Sequence, residues 1–430
     1  MKVTKKIKAG VWVMLCVLFV SPLFAEEQES YAPYKIKAQF IGGVLYPHNK
    51  DLIAPLVKGP MLGAELAFEW AMDGSKPWHY HFNKPDIGLA LQAIDLGNPE
   101  VTGQMIALYP YINIPLYKNK IISFNTKIGC GLAYATKPCD ITAAAADPRT
   151  MEEKAADYNF AIGGPVDVAA SAALNIDVRL HKNVLFTADV SFSHFSSGNL
   201  YQPNYGLNLF NGYVGLKYVP VYKKAPAPLD SIPALTKRWS GEIVLSGGAR
   251  KLYYSDTRHF GIASLNVEGY YRTCHQHRVG VGLDLFFSDA YGQTVAPDAN
   301  GNYQWTNEFT HLTRTCTTEN KFSNKLRFGF NIANELTIHK VGIFFHVGMY
   351  LYDPVKDMEP GEACLEALNS GSETKKKGLL YAYDIQKEDG WCYFRLGVRY
   401  HITKHFLVNA SVKTHLQKVE FAEFGVGYAF

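Results

Sequence analysis

The chain has 430 residues, of which 13% are aromatic and 19% charged, a composition that excludes a disordered chain and a coiled coil. The formal net charge of +4 comes from four lysines in the first 25 residues, a stretch without acidic residues. The rest of the chain contains equal numbers of basic and acidic residues. A neutral chain of this kind excludes a nucleic-acid partner.

The N-terminal segment has the pattern of a secretory signal peptide. Lysines within residues 1–8 precede an apolar run at 11–20, and the small residue Ala25 stands just before Glu26. We therefore predict a signal peptide at 1–25 and export of the remainder. No later stretch is long and apolar enough to form a spanning helix, and the remaining cysteines match no zinc-binding spacing.

Almost every segment of the remainder reads as a β-strand. Alternating apolar and polar residues, as in 121–129, are joined by turn residues, and helical periodicity is absent. About eight such runs lie between Tyr34 and Val219, and about eight more between Ser240 and Phe430. Many are about ten residues long, which suits a tilted membrane-spanning strand. The predicted fold class is all-β.

The two sets of strands resemble each other in sequence. Residues 185–194 align with 406–415, and residues 127–132 align with 346–351. The stretch between the sets is rich in proline, which cannot continue a β-ladder and makes a semi-rigid spacer. We predict domains at 26–219 and 239–430 joined by a linker at 220–238. Tandem eight-stranded antiparallel transmembrane barrels are expected, with one sixteen-stranded barrel as the alternative.

The alternation within single strands indicates which solvent the strands face. Phe186, Val190 and Phe192 share one face, and polar residues share the other, a pattern that a β-sandwich would also give. The last strand favours a membrane barrel, because alternate apolar residues lead to the terminal aromatic Phe430, as in strands read by the barrel-insertion machinery. We therefore expect the outer membrane of a Gram-negative-type cell and that machinery as a partner.

Connection lengths predict the orientation of the strands. Tight turns at 118–119, 181–183, 339–340 and 403–404 alternate with long loops at 138–160, 289–322 and 354–390. Outer-membrane barrels have short periplasmic turns and long external loops. The segment after His194 is therefore expected at the cell surface.

A candidate for chemistry lies in that segment. His194 and Ser196 continue the apolar face of the strand, and residues two apart on a strand have Cα atoms about 6.6–6.8 Å apart. Such a pair suits an imidazole that takes the proton of a serine nucleophile. Asn208, on the matching face of the neighbouring strand, is the candidate to orient the imidazole. The alternative is that His194 and Ser196 are polar residues of the membrane interface, as His79, His81, His275 and His277 are expected to be.

The first half of the chain resembles the lipid A 3-O-deacylase family, also described as acyloxyacyl hydrolases. The resemblance spans 34–219 and rests on 131–138, 161–163, the pair His194 and Ser196, and 203–206. It implies an eight-stranded outer-membrane barrel that hydrolyses an ester-linked acyl chain of lipid A, the lipid part of lipopolysaccharide, without a metal or another cofactor. It also implies that His194 is the general base and Ser196 the nucleophile.

Two positions depart from the family pattern. Ser197 stands where the family has an asparagine of the oxyanion region, and Asn208 stands where it has a glutamate. Asparagine orients an imidazole but adds no charge to stabilise its protonated form. The second half contains His415 but no serine two residues later, so it is not expected to repeat the chemistry. The alternative function is a non-enzymatic outer-membrane barrel, either a small pore or a structural surface protein.

Overall fold

The computed structural model describes residues 30–227, 229, 231–251, 259–292, 303–306, 313–316, 322–353, 366–367, 391–415 and 419–430. The predicted signal peptide lies outside these residues, as do most of the predicted loops 289–322 and 354–390. The described long strands form two closed barrels of eight antiparallel strands each. The predicted tandem architecture is confirmed, and the single sixteen-stranded barrel is excluded.

The first barrel closes through the pairing of its first and last strands. Its strands are β1 (Tyr34–Leu45), β2 (Met61–Ala71), β3 (Asp86–Asp95), β4 (Gln104–Lys118), β5 (Ile122–Ala135), β6 (Val166–His181), β7 (Val184–Ser196) and β8 (Leu207–Tyr218). Its connections contain a 3-10 turn (Ala54–Leu56) and the helices α1 (Pro77–His81) and α2 (Ile141–Ala146).

The second barrel repeats this arrangement. Its strands are β9 (Trp239–Arg250), β10 (Phe260–Cys274), β11 (His277–Ser288), β12 (Leu326–Ile338), β13 (Val341–Tyr352), β14 (Cys392–His401), β15 (Phe406–Thr414) and β16 (Val419–Ala429). Shorter elements are the strands Ser30–Tyr31, Lys223–Lys224, Tyr303–Thr306, Thr313–Cys316 and Glu366–Ala367, and the 3-10 turns Asp289–Gly292 and Phe322–Lys325.

The faces of the strands are inverted relative to a soluble protein. Apolar side chains project outward, and Phe40 and Phe424 are 77% and 66% exposed. Charged side chains are buried inside, where Lys127 pairs with Asp189 at 3.0 Å. An apolar exterior around an ionic interior is stable only in lipid, which distinguishes the barrel from a sandwich. Among the described residues, no helix has the length and hydropathy needed to cross a membrane.

The long loops and the tight turns lie at opposite ends of the barrels, here called the long-loop end and the short-turn end. The loop between β5 and β6 and the loop that leads from β7 to β8 both lie at the long-loop end. The linker lies at the short-turn end, where Lys223–Lys224 pairs with Ser30–Tyr31. One connection at the short-turn end is longer than a tight turn, because it contains α1.

The predicted internal repeat holds for one pair of strands and is displaced for the other. Residues 127–132 and 346–351 both lie on the fifth strand of their barrel, with Lys127 and His346 both buried inside. Residues 185–194 and 406–415 lie on the seventh strands, but Phe186 faces outward whereas its aligned residue Leu407 is 1% exposed inside. The alignment of this strand was therefore wrong by one residue, a shift that reverses every side chain.

The two barrels lie side by side with their outer faces in contact. Near the short-turn end, Ile112 faces outward on β4 yet is only 6% exposed, because it packs in one cluster with Ile338 of β12. The ring of Trp78 stacks on His339 at 5.4 Å between centroids, and His81 stacks on His275 at 4.4 Å. Of the four histidines predicted at the membrane interface, His81 and His275 thus contact each other across the barrels.

Candidate active site

The central strand of the candidate site is β7, which pairs with β6 and β8. The outward face runs through Val190 and Phe192, which are 62% and 37% exposed, to His194 and Ser196 at the long-loop end. His194 lies directly opposite Asn208 of β8. Because side chains alternate along a strand, the backbone register alone brings these polar groups to one outward patch.

His194 and Asn208 form the central contact of the site. The imidazole Nδ1 of His194 lies 2.7 Å from the amide Oδ1 of Asn208. An amide oxygen only accepts hydrogen bonds, so Nδ1 carries the proton and Nε2 keeps its lone pair. This tautomer is the one that a general base requires.

A third residue, His48, continues this contact and was missed from the sequence. The amide Nδ2 of Asn208 donates to His48 Nδ1 at 3.0 Å, and His48 Nε2 donates to the carbonyl of Tyr205 at 3.1 Å. These bonds fix which way the Asn208 amide faces, so that its oxygen points to His194. His48 follows β1, which pairs with β8 only because the barrel closes. Pairing the first strand with the last in the sequence analysis would have identified His48.

The hydroxyl of Ser196 is held by the loop at 197–206. Its Oγ accepts from Asn204 Nδ2 at 2.9 Å and from the backbone N–H of Gly198 at 3.2 Å. Among the described residues, no hydrogen bond joins Ser196 to His194. The structure thus brings His194 and Asn208 together, and it pairs Ser196 with Asn204, which the sequence analysis noted only as part of a motif.

The hydroxyl oxygen of Ser196 is the meeting point of two donors. One N–H group comes from a backbone and one from a side-chain amide. Ser197 differs from Ser196, because its Oγ donates to the carbonyl of Tyr201 within the same loop at 3.2 Å.

Two glycines allow segments that are far apart in the sequence to pack together around the site. A Cβ on Gly206 would lie 2.9 Å from Cε1 of His194, so only glycine leaves room for the imidazole there, and its φ of +74° also favours glycine. A Cβ on Gly163 would lie 2.4–2.5 Å from the backbone of 202–203. The N–H of Gly206 donates to the carbonyl of Ala161 at 2.9 Å. Residues 161–163 therefore support the loop that holds Ser196.

In the described part of the second barrel, His415 does not lie on an outward patch like that of His194. This side chain is 5% exposed, faces the interior, and lies 2.9 Å from the hydroxyl of Tyr350. His415 faces inward because β15 aligns with β7 one residue away from the alignment predicted from the sequence. Among the described residues, no group of three or more potential metal ligands is present.

The fold and this patch define a class of protein: a transmembrane β-barrel with a candidate ester-hydrolase site on its outer face. Residues 62–217 match the family described as lipid A 3-O-deacylase (PagL). Residues 239–361 and 379–430 match the C-terminal domain of acyloxyacyl hydrolase. The chain belongs to the lipid A 3-O-deacylase and acyloxyacyl hydrolase family, a family of outer-membrane lipid A hydrolases, and its location is the outer membrane.

The chain also matches solved structures at low identity and low TM-score. Neisserial surface protein A is 6% identical, covers 45% of this chain and 99% of its own length, and has a TM-score of 0.29. The outer membrane enzyme PagL is 13% identical, covers 43% of this chain and 99% of its own, and has a TM-score of 0.28. CdiB from Acinetobacter baumannii is 8% identical, with coverages of 94% and 60% and a TM-score of 0.17. No curated protein matches the chain.

Proposed function

We propose that this protein is a serine esterase that hydrolyses an ester-linked acyl chain of lipid A at the outer surface of its first barrel. The contact between His194 Nδ1 and Asn208 Oδ1 at 2.7 Å carries the proposal, because it leaves Nε2 free as a base on the lipid-facing side. A polar pair facing lipid is costly without a function. Ser196 is the nucleophile, His194 the general base, and Asn208 the residue that orients the imidazole.

The reaction starts with a rotation of the Ser196 side chain. The hydroxyl turns from Asn204 toward Nε2 of His194, which takes its proton as Oγ attacks the ester carbonyl. The N–H of Gly198 and the amide of Asn204 donate to the oxygen that becomes negative. Collapse of this intermediate breaks the ester bond, and the sugar oxygen leaves with the proton from His194. Water then attacks the acyl-serine and gives a proton to His194. His194 passes a proton to Oγ of Ser196 as the fatty acid leaves, which restores the free enzyme.

The surroundings of the patch suit an acyl chain. The rings of Phe192 and Phe210 lie 5.2 Å apart, and Tyr46 meets Phe210 edge-on at 5.7 Å. All three project outward, directly below His194 on β7, β8 and the end of β1. An acyl chain in the outer leaflet packs against this aromatic surface with its ester at the level of Ser196.

The interior of the barrels argues against the competing function of a pore. In the first barrel, Lys217 pairs with Asp177 at 2.8 Å and with Glu69 at 3.0 Å. In the second, Arg399 pairs with Glu242 at 2.7 Å and with Glu268 at 2.6 Å. Eight-stranded barrels are just wide enough for side chains to fill, and these ion pairs occupy the described interior.

A mass-spectrometric comparison of lipid A tests the proposal. Cells whose lipid A carries a 3-O-linked acyl chain are compared with and without the protein, and with its variants Ser196→Ala, His194→Ala and Ser197→Ala. We expect loss of one acyl chain with the wild type and with Ser197→Ala, and intact lipid A with the other two variants. Unchanged lipid A with a folded wild-type protein would favour the non-enzymatic barrel.

We also propose the domain bounds 26–219 and 239–430 with the linker at 220–238, and an encounter with the barrel-insertion machinery through β16. The outward face of β16 supports this encounter, because Phe424, Val426 and Tyr428 are 66%, 64% and 44% exposed at alternate positions. Replacing these three residues by serine is expected to leave the protein outside the membrane fraction.

A further inference from the structure

The segment that follows Ser196 lies against the second barrel. Its residues 198–200 present their backbone carbonyls to three donors of that barrel. Ala422 N donates to Gly198 O at 3.0 Å, Lys251 N donates to Asn199 O at 2.8 Å, and His259 Nε2 donates to Leu200 O at 2.8 Å. The Asn199 side chain adds hydrogen bonds from Nδ2 to the carbonyls of Val419 and Glu420.

This segment has a left-handed backbone conformation at two consecutive residues. Gly198 and Asn199 have φ of +62° and +65°. Glycine and asparagine are the residues that adopt this region most readily. The turn they form directs the carbonyls of Gly198 and Asn199 to the N–H groups of Ala422 and Lys251 at the rim of the second barrel.

The same segment supplies a group of the proposed chemistry. Gly198 donates its N–H to Ser196 Oγ at 3.2 Å, and it accepts the N–H of Ala422 on its carbonyl. The hydrogen bond to Ala422 holds the backbone on one side of Gly198, while the donor to the reacting centre lies on the other. Movement of the second barrel away from this residue would therefore release that donor.

We propose that the second barrel is a positioning part of the active site on the first, with Ala422 of β16 holding Gly198 so that its N–H meets the charge that develops during ester cleavage. This inference rests on the proposed function. It gives the second barrel a role although its own His415 faces inward. It also explains the small residues at the contact, since a Cβ on Gly198 would lie 2.6 Å from Cβ of Ala422.

The first test changes only the second barrel. In the full chain, Ala422→Leu places a larger side chain against Gly198. The control Val281→Leu changes an outward residue of β11 in the same barrel, which is 53% exposed. With purified protein and micellar 3-O-acylated lipid A, we expect Ala422→Leu to lower kcat about 10- to 100-fold, comparable to partial loss of an oxyanion donor. KM should stay unchanged, because the aromatic surface is untouched, and Val281→Leu should match the wild type.

The second test is a rescue across the two barrels. Gly198→Ala is expected to lower kcat through its contact with Ala422 and through its φ of +62°. Gly198→Ala combined with Ala422→Gly should recover the part of the loss that comes from the contact. Wild-type kcat in Ala422→Leu, a change confined to KM, or no recovery in the double variant would overturn the inference. Heat modification on gels checks that each variant is folded. Loss of release in Ser196→Ala but not in Ala422→Leu would leave the proposed function standing and remove only this inference.

Discussion

Nδ1 of His194 and Oδ1 of Asn208 lie 2.7 Å apart on directly opposed positions of β7 and β8. The amide orients the imidazole without charge. Asn208→Asp has the same shape and keeps the acceptor for His194, although it loses the donor to His48. Its charge stabilises the protonated imidazole. We expect it to raise the rate of acyl release about tenfold, and Asn208→Leu to lower it about 100-fold. Release from micellar lipid A measures both, and a decrease with Asn208→Asp would contradict the proposed role of Asn208.

His48 is expected to act through Asn208. His48→Ala removes the acceptor for Asn208 Nδ2, so the amide is free to turn its oxygen away from His194. We expect a loss of roughly 3- to 10-fold in kcat with little change in KM, since a neutral hydrogen bond contributes about 1 kcal/mol. The matched control adds His48→Ala to the variant Asn208→Leu, where His48→Ala should lower kcat no further.

Asn204 is expected to matter through its amide donor. Asn204→Asp keeps the oxygen that accepts from the N–H of Ser197 at 3.0 Å but removes the donor to Ser196 Oγ. Loss of one oxyanion donor typically lowers kcat about 10²- to 10³-fold, and we expect this range. Ser197→Ala serves as the control, because its hydroxyl bonds only within the loop. Equal activity in Asn204→Asp and the wild type would exclude Asn204 from the oxyanion site.

The contact between the barrels at the short-turn end is expected to weaken in acid. Burial and, to a lesser extent, the neighbouring His275 hold the pKa of His81 below its ordinary value, and Lys76, Arg272 and His339 line the same cavity. The pKa of His81 is lower in the folded state than in the unfolded state, where it is about 6.5. The free energy of unfolding therefore has its full value above this pH and declines as pH falls below it.

Heat modification in detergent, followed from pH 7.5 to 5.5, measures this effect (both values are about one unit from the ordinary histidine pKa). We expect the transition temperature of the wild type to fall across this range. The variant His81→Gln should show a smaller fall, because it removes the group whose pKa is lowered in the folded state. An identical fall in both proteins would place the acid sensitivity elsewhere.

The strands and their faces were predictable from the sequence because their information is local. Alternation of apolar and polar residues sets which side chains share a face, and turn residues mark where each strand ends. This pattern predicted two sets of eight strands, and it predicted that Val190, Phe192 and His194 lie on one outward face. Weak similarity between repeats was less reliable, because in residues 185–194 and 406–415 a shift of one residue gives an equally good match of residue types but opposite faces.

Which residues contact one another at the site depended on contacts between elements that are far apart in the sequence. Asn208 is fourteen residues from His194 and was found by counting along two adjacent strands. His48 reaches Asn208 only because β1 pairs with β8 to close the barrel, and no local pattern records that closure. Ala422 reaches Gly198 only because two closed barrels pack side by side. Sequence periodicity determined the faces of the strands, whereas barrel closure and packing decided which residues meet, because they join positions that the chain itself does not bring together.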